Sequence, residues 1–458
     1  MKKQLQIFFD FLRFCIGSAK EIPDSLKEAD WKKLYAIAKK QCLMGVLFDG
    51  IKKLPAEHVG MEKELLLQWM AESQMLEKAN VRLNDAAIQV SEWFRKKGFR
   101  TCILKGQGNA LMYPNPYSRT PGDIDIWVEG GDKRVISFVR SISPHEKACY
   151  HHIEFPSYKG VEVEVHYRPS FLLCFWHNRK LQKYYESVKD EQFSHWVMLG
   201  EQGEIAIPTS EFNLIFQLTH IYAHLMNEGI GLRQLLDYYY VLCDFYKVYQ
   251  KSSKITPSLF TLKEGSTSHP DPLSMVFTPP SVPPFPGDRN LRGEGENRPT
   301  RCSEPLRSKV GGPSKVSPDC AGWDRLSIEG DNSAGSTTAV TSSASTALDV
   351  VQKELKELGL WKFAGGIMYI MQEVFGMPAS RLIVPPNEKY GKFVLNEVLE
   401  AGNFGRHDAR NRFGRSKLGH NLHRVYRDIR LVRYFPAEAL CEPLFRIWHF
   451  FWRMKNKK

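Results

Sequence analysis

The spacing of apolar residues changes character along this 458-residue chain, and the change restricts the fold. From residue 1 to about residue 95 they recur every third or fourth position, as in LKEADWKKLYAIAKKQCLMGVLFDGIKKL and KELLLQWMAESQMLEKANVRLNDAAIQVSEWFRKKG. That is the spacing of helices with one buried face. Gly98, after a run of Arg and Lys, closes the last of them. Short β-rich runs follow: FRTCILKG, then DIDIWV, then a hairpin of YHHIEF and VEVEVHY turning at SYKG, with a helix-like DKRVISFVRSI before the hairpin. Helical spacing returns from Phe212 to about Gln250. A few strands set within helical sequence predict an α+β fold, with a small mixed sheet flanked by N- and C-terminal helical regions.

A second change is compositional. Residues 252–346 are dominated by Ser, Pro, Gly and Thr without a sustained period. Such a segment buries too little apolar surface to offset its ordering entropy, so it is read as a disordered insertion that the chemistry does not need. Helical character resumes in DVVQKELKELGLWKFAGGIMYIMQEVFGMP. The expected units are therefore a helical region at 1–95, the α+β core at 96–200, a first helical part at 201–251, the insertion at 252–346 and a second helical part with a basic tail at 347–458. The start, MKKQLQIFFDFLRF, is broken by Asp10 and Arg13 before a signal-peptide core can form. No run of about eighteen apolar residues offers a transmembrane segment. A soluble, cytoplasmic protein is expected. The nine cysteines are scattered, odd in number and without a Cys-x-x-Cys pair, which is the pattern of reduced core thiols. Net charge is +12, and Gly405–Lys458 alone holds fourteen Lys and Arg against four Asp and Glu. A basic surface so localised invites a polyanion.

The chemistry is concentrated in LKGQGNALMYPNPYSRTPGDIDIWV, from Leu104 to Val128. Strand alternation makes Asp123 and Asp125 project together. Two adjacent carboxylates repel unless a cation or proton joins them, and a hard divalent ion, Mg²⁺ or alternatively Mn²⁺, is the natural partner. A third ligand is sought on VEVEVHY, where Glu162, Glu164 and His166 share a face. A solvated outer face explains that strand equally well on its own; beside the Asp pair, Glu164 is the expected ligand because Glu162 lies nearer the turn.

Asp-x-Asp after a glycine-containing turn, followed by an apolar-Glu-apolar strand, resembles the nucleotidyltransferase superfamily of polymerase-beta-like fold. Lys105-Gly106, Tyr113-Pro114-x-Pro116, Arg119, Gly122-Asp123-Ile124-Asp125 and Val163-Glu164-Val165-His166 are more closely similar to an uncharacterised bacterial nucleotidyltransferase family related to the abortive-infection toxins. A weaker echo runs through His220, His224, Gly231, Arg233 and Asp237 and returns at Gly402-Asn403-Phe404-Gly405. The resemblance implies a polymerase-beta-like core in which Asp123, Asp125 and Glu164 hold metal. It also implies in-line attack of an acceptor hydroxyl on the α-phosphate of a nucleoside triphosphate, with two Mg²⁺ ions about 3.5–4 Å apart. The superfamily's usual Gly-Ser pair is absent, and Lys-Gly-Gln-Gly-Asn stands in its place. Gly106 and Gly108 can admit phosphate to backbone N–H groups near a helix starting at Asn109, and Lys105 and Arg119 can balance the leaving pyrophosphate.

Other residues carry weaker expectations. His151 and His152 are adjacent, so alternation points them to opposite faces and argues against a shared ion. His166, His220 and Arg233 are candidate acceptor-site residues, although packing explains the histidines and a helical ion pair with Asp237 explains Arg233. In HRVYRDIRLVRYF, Leu422, Val425, Tyr426, Ile429 and Val432 form an apolar stripe, which predicts that the arginines at 424, 427, 430 and 433 lie on flanking or exposed surface. The expected activity is Mg²⁺-dependent transfer of a nucleoside monophosphate to RNA, a protein hydroxyl or a small molecule. The rivals are a catalytically inactive nucleotide-binding module and an RNA- or membrane-surface-binding protein acting through the basic tail.

Overall fold

The computed structural model describes residues 2–201, 203–252, 341–405, 408 and 417–456. Four helices precede the sheet: α1 (Lys2–Ile16), α2 (Trp31–Lys40), α3 (Met44–Ile51) and the long α4 (Lys63–Lys96). The end of α4 follows from Gly98, whose φ of 79° only glycine adopts without strain. The Gly98 amide donates to the Arg95 carbonyl and the Phe99 amide to that of Phe94, a Schellman closure that turns the chain into the first strand.

The core continues with β1 (Thr101–Leu104), a short α5 (Gly106–Ala110), β2 (Ile124–Val128), α6 (Gly131–Ile142), β3 (His152–Tyr158) and β4 (Val161–His166). The strands lie in the order β1-β2-β4-β3, with β2 antiparallel to β1 and parallel to β4, and β3 antiparallel to β4 on the far edge. One sheet face rests on rings of α4, the α4–β1 turn, α6 and β3: Trp93, Phe94, Phe99, Phe138 and Phe155, with centroids 4.6–6.2 Å apart. The other face carries Asp125 and Glu164.

Then come α7 (Phe175–Ser194), a hairpin of β5 (Trp196–Met198) and β6 (Glu204–Ala206), α8 (Ser210–Asn227) and α9 (Leu232–Ser252). The hairpin, which the spacing did not announce, spans the expected boundary at residue 200. Residues 253–340, nearly all of the segment read as an insertion, lie outside the described residues. The chain continues as α10 (Thr341–Glu357), α11 (Trp361–Glu373), α12 (Glu388–Ala401), α13 (Lys417–Val432) and α14 (Pro436–Lys455). Helix thus begins at Thr341, within the stretch assigned to the insertion. The described residues form a mixed α+β structure, mostly helical with a small mixed sheet. A single apolar cluster joins helices from both sides of 253–340, through Phe8, Trp69, Phe216, Tyr238 and Phe363. None of the described helices is long and apolar enough to cross a membrane.

Close approach of α3 to the 3-10 turn Pro116–Ser118 depends on Gly45, because a Cβ there would overlap the Ser118 carbonyl oxygen. Backbone cannot yield as a side-chain tip does. Gly45→Ala is therefore expected to destabilise the fold by about 3 kcal/mol, the upper end of overpacking effects, as read by urea denaturation.

The expectation for α13 holds for Arg433, which is exposed, and for the half-buried Arg424 and Arg430, but fails for Arg427 and for most of the apolar stripe. Leu422, Val425 and Ile429 are exposed, Ile429 by 66%, whereas Arg427 is buried. Arg427 donates to the Glu228 carbonyl at 2.9 Å, at the C-terminal end of α8, where the helix dipole favours a cation. Arg430 is held by Glu397 at 3.0 Å. The polar face of α13 is thus turned inward because its partners are helix ends and carboxylates. Similarly, α14 buries Glu438, Ala439, Glu442 and Phe445 and leaves Leu440, Leu444, Ile447 and Phe451 exposed. Of the basic tail, Arg406, Arg410, Arg412 and Arg415 lie outside the described residues.

Where α13 meets α14, burial and the neighbouring Glu442 carboxylate push the Asp428 carboxyl up to about 7. The folded state therefore keeps a proton that an unfolded Asp releases near pH 4. Its contribution to stability is full below about pH 4 and is lost as pH rises through about 7. Asp428→Asn is expected to flatten the melting temperature across that window and to raise it at pH 8, measured by circular dichroism.

Candidate active site

Strand register assembles the carboxylates. Asp125 on β2 is paired with Glu164 on β4, so the two side chains leave neighbouring strands on the same face, and Asp123 stands two residues upstream of Asp125. Donor oxygens of all three lie within 4.8 Å of one another. Glu162 is exposed and paired with neither.

Cationic partners surround Asp125. His166 Nε2 lies 2.9 Å from Asp125 Oδ1 and 3.6 Å from Glu164 Oε2. Lys105 Nζ donates to Asp125 Oδ2 at 3.0 Å and contacts His220 Nε2 at 3.1 Å. Lys105 sits between β1 and α5 with φ of 54°, a conformation that a side-chain-bearing residue rarely adopts, and the turn carries its ammonium to the carboxylates.

These contacts separate the titration of the three acids. Burial pushes Asp123 upward, reinforced by the charges of Asp125 and Glu164, to about 6. Burial also works against ionised Asp125, but Lys105 and the His166 hydrogen bond prevail and hold it well below the usual range. For Glu164, burial is outweighed by His166 and His152, and the result is again a lowered value. Burial opposes charge on His166, yet its bonds to Asp125 and Glu164 raise it to about 9. His220 is driven well below its ordinary value by burial and then by Lys105, so it is a neutral ring able to accept the ammonium proton. Three carboxylates thus face two cations, and the surplus negative charge appears as the raised Asp123. An all-oxygen donor set with unbalanced charge fits a hard divalent cation such as Mg²⁺ or Mn²⁺.

Residues 27–249 match the model of a family described as uncharacterised nucleotidyltransferase. No curated protein matches the chain, and neither does any solved structure. The match spans both carboxylate strands, Lys105, His166 and His220, and ends before residues 253–340.

Other expected residues within 27–249 take different places. Gly106 is open, with only the Asp123 carbonyl within 3.9 Å of an added Cβ, and its φ is 43°. Gly108 instead lies under β6, where a Cβ would come within 3.0 Å of Ile207, so its small size serves packing. The helix expected near Asn109 starts at Gly106, because Gln107 bonds Asn84 of α4 and Asn109 exchanges hydrogen bonds of 3.1 and 2.7 Å with Gln217 of α8. Arg119 does not point to the carboxylate cluster. Its Nε and Nη2 each donate to Asp237 at 2.8 Å, and Tyr113 donates to the same carboxylate at 2.7 Å, all three side chains being buried. Arg233 stands behind this pair, 4.0 Å from Asp237. The distant echo is also packing: a Cβ on Gly231 would come within 3.0 Å of the Asn403 backbone, and one on Gly405 would overlap the Glu228 carbonyl.

His151 and His152 correct the alternation argument. The strand β3 begins only at His152, so His151 lies outside the pleat, and its Nε2 is 3.1 Å from His152 Nδ1. His152 Nδ1 in turn lies 3.3 Å from Glu164 Oε2. A histidine group therefore adjoins the carboxylates. The adjacent pair in the sequence was the available signal, and a regular-strand assumption concealed it.

Proposed function

We propose that the chain is a nucleotidyltransferase that moves a nucleoside monophosphate from a nucleoside triphosphate to an acceptor hydroxyl. The observation that carries this reading is the convergence of Asp123, Asp125 and Glu164 across the parallel β2–β4 pair. These three carboxylates would hold the divalent cation. Bound there, Mg²⁺ or Mn²⁺ supplies neutralisation of triphosphate charge and acidification of the acceptor hydroxyl. The acceptor oxygen forms a bond to the α-phosphorus as the bond from that phosphorus to the bridging oxygen of the β-phosphate breaks, and pyrophosphate leaves. Glu164 accepts the hydroxyl proton. His166 orients Asp125 through its Nε2 bond, and Lys105, with its ammonium at the cluster, contributes positive charge toward the phosphates.

The surroundings favour a polyanionic acceptor such as an RNA end. Close to the exit of β4, a cavity of about 660 Å³ is lined by three cations, Arg168, Arg179 and Lys183, against one acid, Glu186, together with aromatic rings such as Tyr150 and Trp448. Cations among aromatic faces suit phosphates and stacked bases. A non-catalytic nucleotide-binding module is the second reading, favoured by the Lys105 ammonium already seated on Asp125. Calorimetric titration with non-transferable triphosphate analogues separates the two. The enzyme reading expects binding that strengthens with Mg²⁺ and loses that dependence in Glu164→Gln; binding indifferent to both would favour the module.

A further inference from the structure

A second group of ligating side chains lies away from the carboxylates, where the starts of α7 and α14 meet. Both helices present donors three residues apart: Cys174 and His177 at the start of α7, Glu438 and Cys441 in the first turns of α14. Donor atoms of Cys174, His177 and Glu438 all lie within 4.8 Å of one another. Cys441, one turn after Glu438, adjoins Cys174 outside that mutual group and supplies the fourth donor once an ion draws the thiols together. His177 Nδ1 is 3.3 Å from Glu438 Oε1, close to the roughly 3.4 Å that separates two ligands of a tetrahedral ion with bonds near 2.1 Å.

The orientation of these groups is fixed by their neighbours. Glu438 Oε2 accepts the backbone amides of Leu173 at 2.6 Å and Cys174 at 3.0 Å, which leaves Oε1 turned toward His177. The His177 ring packs against Gly359, where any Cβ would overlap it. Cys174 and Glu438 are buried, and ligands held by such outer contacts are preorganised for an ion. Two sulfurs, one imidazole and one carboxylate form a borderline-soft set, unlike the oxygen set of the first site.

We propose that Cys174, His177, Glu438 and Cys441 form a structural zinc site that clamps the start of α14 to the start of α7. The clamp lies one turn from Phe445 and two from Trp448, which meet Phe175 of α7 at ring distances of 6.2 and 6.0 Å. It therefore fixes the helix that walls the basic cavity, and it stands whether or not the transfer reaction does.

The test uses the full chain, purified under reducing conditions, loaded with Co²⁺ in excess Mg²⁺ and desalted. One tightly held cobalt is expected per chain, with a thiolate-to-cobalt charge-transfer band and the visible bands of a tetrahedral ion. Cys441→Ser, a partly exposed position, is expected to lose most of the charge-transfer band and to weaken Zn²⁺ binding at least about a hundredfold, with an unchanged far-ultraviolet spectrum. His177→Gln is the second variant, expected to shift the visible bands. Asp125→Asn and Cys149→Ser should leave all bands unchanged, which excludes the two neighbouring donor groups. The proposal is overturned if no thiolate band forms, if the band survives in Cys441→Ser, or if mass analysis finds a Cys174–Cys441 disulfide and no metal.

Discussion

Asp125→Asn is expected to lower nucleotidyl transfer by at least about a thousandfold, equivalent to roughly 4 kcal/mol of transition-state stabilisation. Asp125 is the most heavily engaged of the three acids, bonded to His166 through one oxygen and to Lys105 through the other. Asparagine keeps the shape but removes the charge that would hold the divalent cation. It also withdraws one of the two carboxylates that raise His166, so the ring holds its proton less tightly than in the wild type. Glu164→Gln is expected to act on the same step, because it removes the proposed base while leaving strand pairing intact. Steady-state transfer assays and far-ultraviolet circular dichroism on the same preparations check both points: activity falls and the spectrum does not change.

Asp237→Ala is expected to destabilise the fold by about 3–5 kcal/mol, with loss of activity following from loss of structure. Removing this carboxylate leaves the Arg119 guanidinium buried without its counter-charge and leaves the Tyr113 hydroxyl without its acceptor. The double replacement Arg119→Met with Asp237→Leu is expected to cost less than Asp237→Ala alone, since neither charge is then stranded. Urea denaturation of Asp237→Ala and of the double variant measures this. If Arg119 served the phosphates instead, Arg119→Met would raise the KM for the triphosphate at unchanged stability.

What the sequence displayed is what period and composition encode. Asp123 and Asp125 share a face by parity, and the apolar spacing on either side announces helices. The register that sets Asp125 beside Glu164 pairs β2 with a strand reached only after α6 and β3, a crossover with no residue signature of its own. The Arg119–Asp237 pair joins residues 118 positions apart, so only the folded chain reveals that Arg119 is spent internally. Gly108 looked like a phosphate loop because glycine serves close approach of any kind, and here the approaching group is Ile207. The stripe on α13 misled because it was assumed to face inward, whereas Arg427 found a helix end to bind and Ile429 was left outside. The pairing of Cys174-x-x-His177 with Glu438-x-x-Cys441 was hidden by the separation of the two halves in the chain.

The most direct test of the central claim is the identity of the transferred group. Wild-type protein and an Asp123→Ala, Asp125→Ala variant are incubated with Mg²⁺, cell extract and nucleoside triphosphates labelled with ³²P at either the α- or the γ-phosphate. The account expects label from the α-position to enter an acceptor with wild type alone, and label from the γ-position to appear only in pyrophosphate. Transfer of the γ-label to an acceptor, or no carboxylate-dependent transfer from any triphosphate, would contradict it.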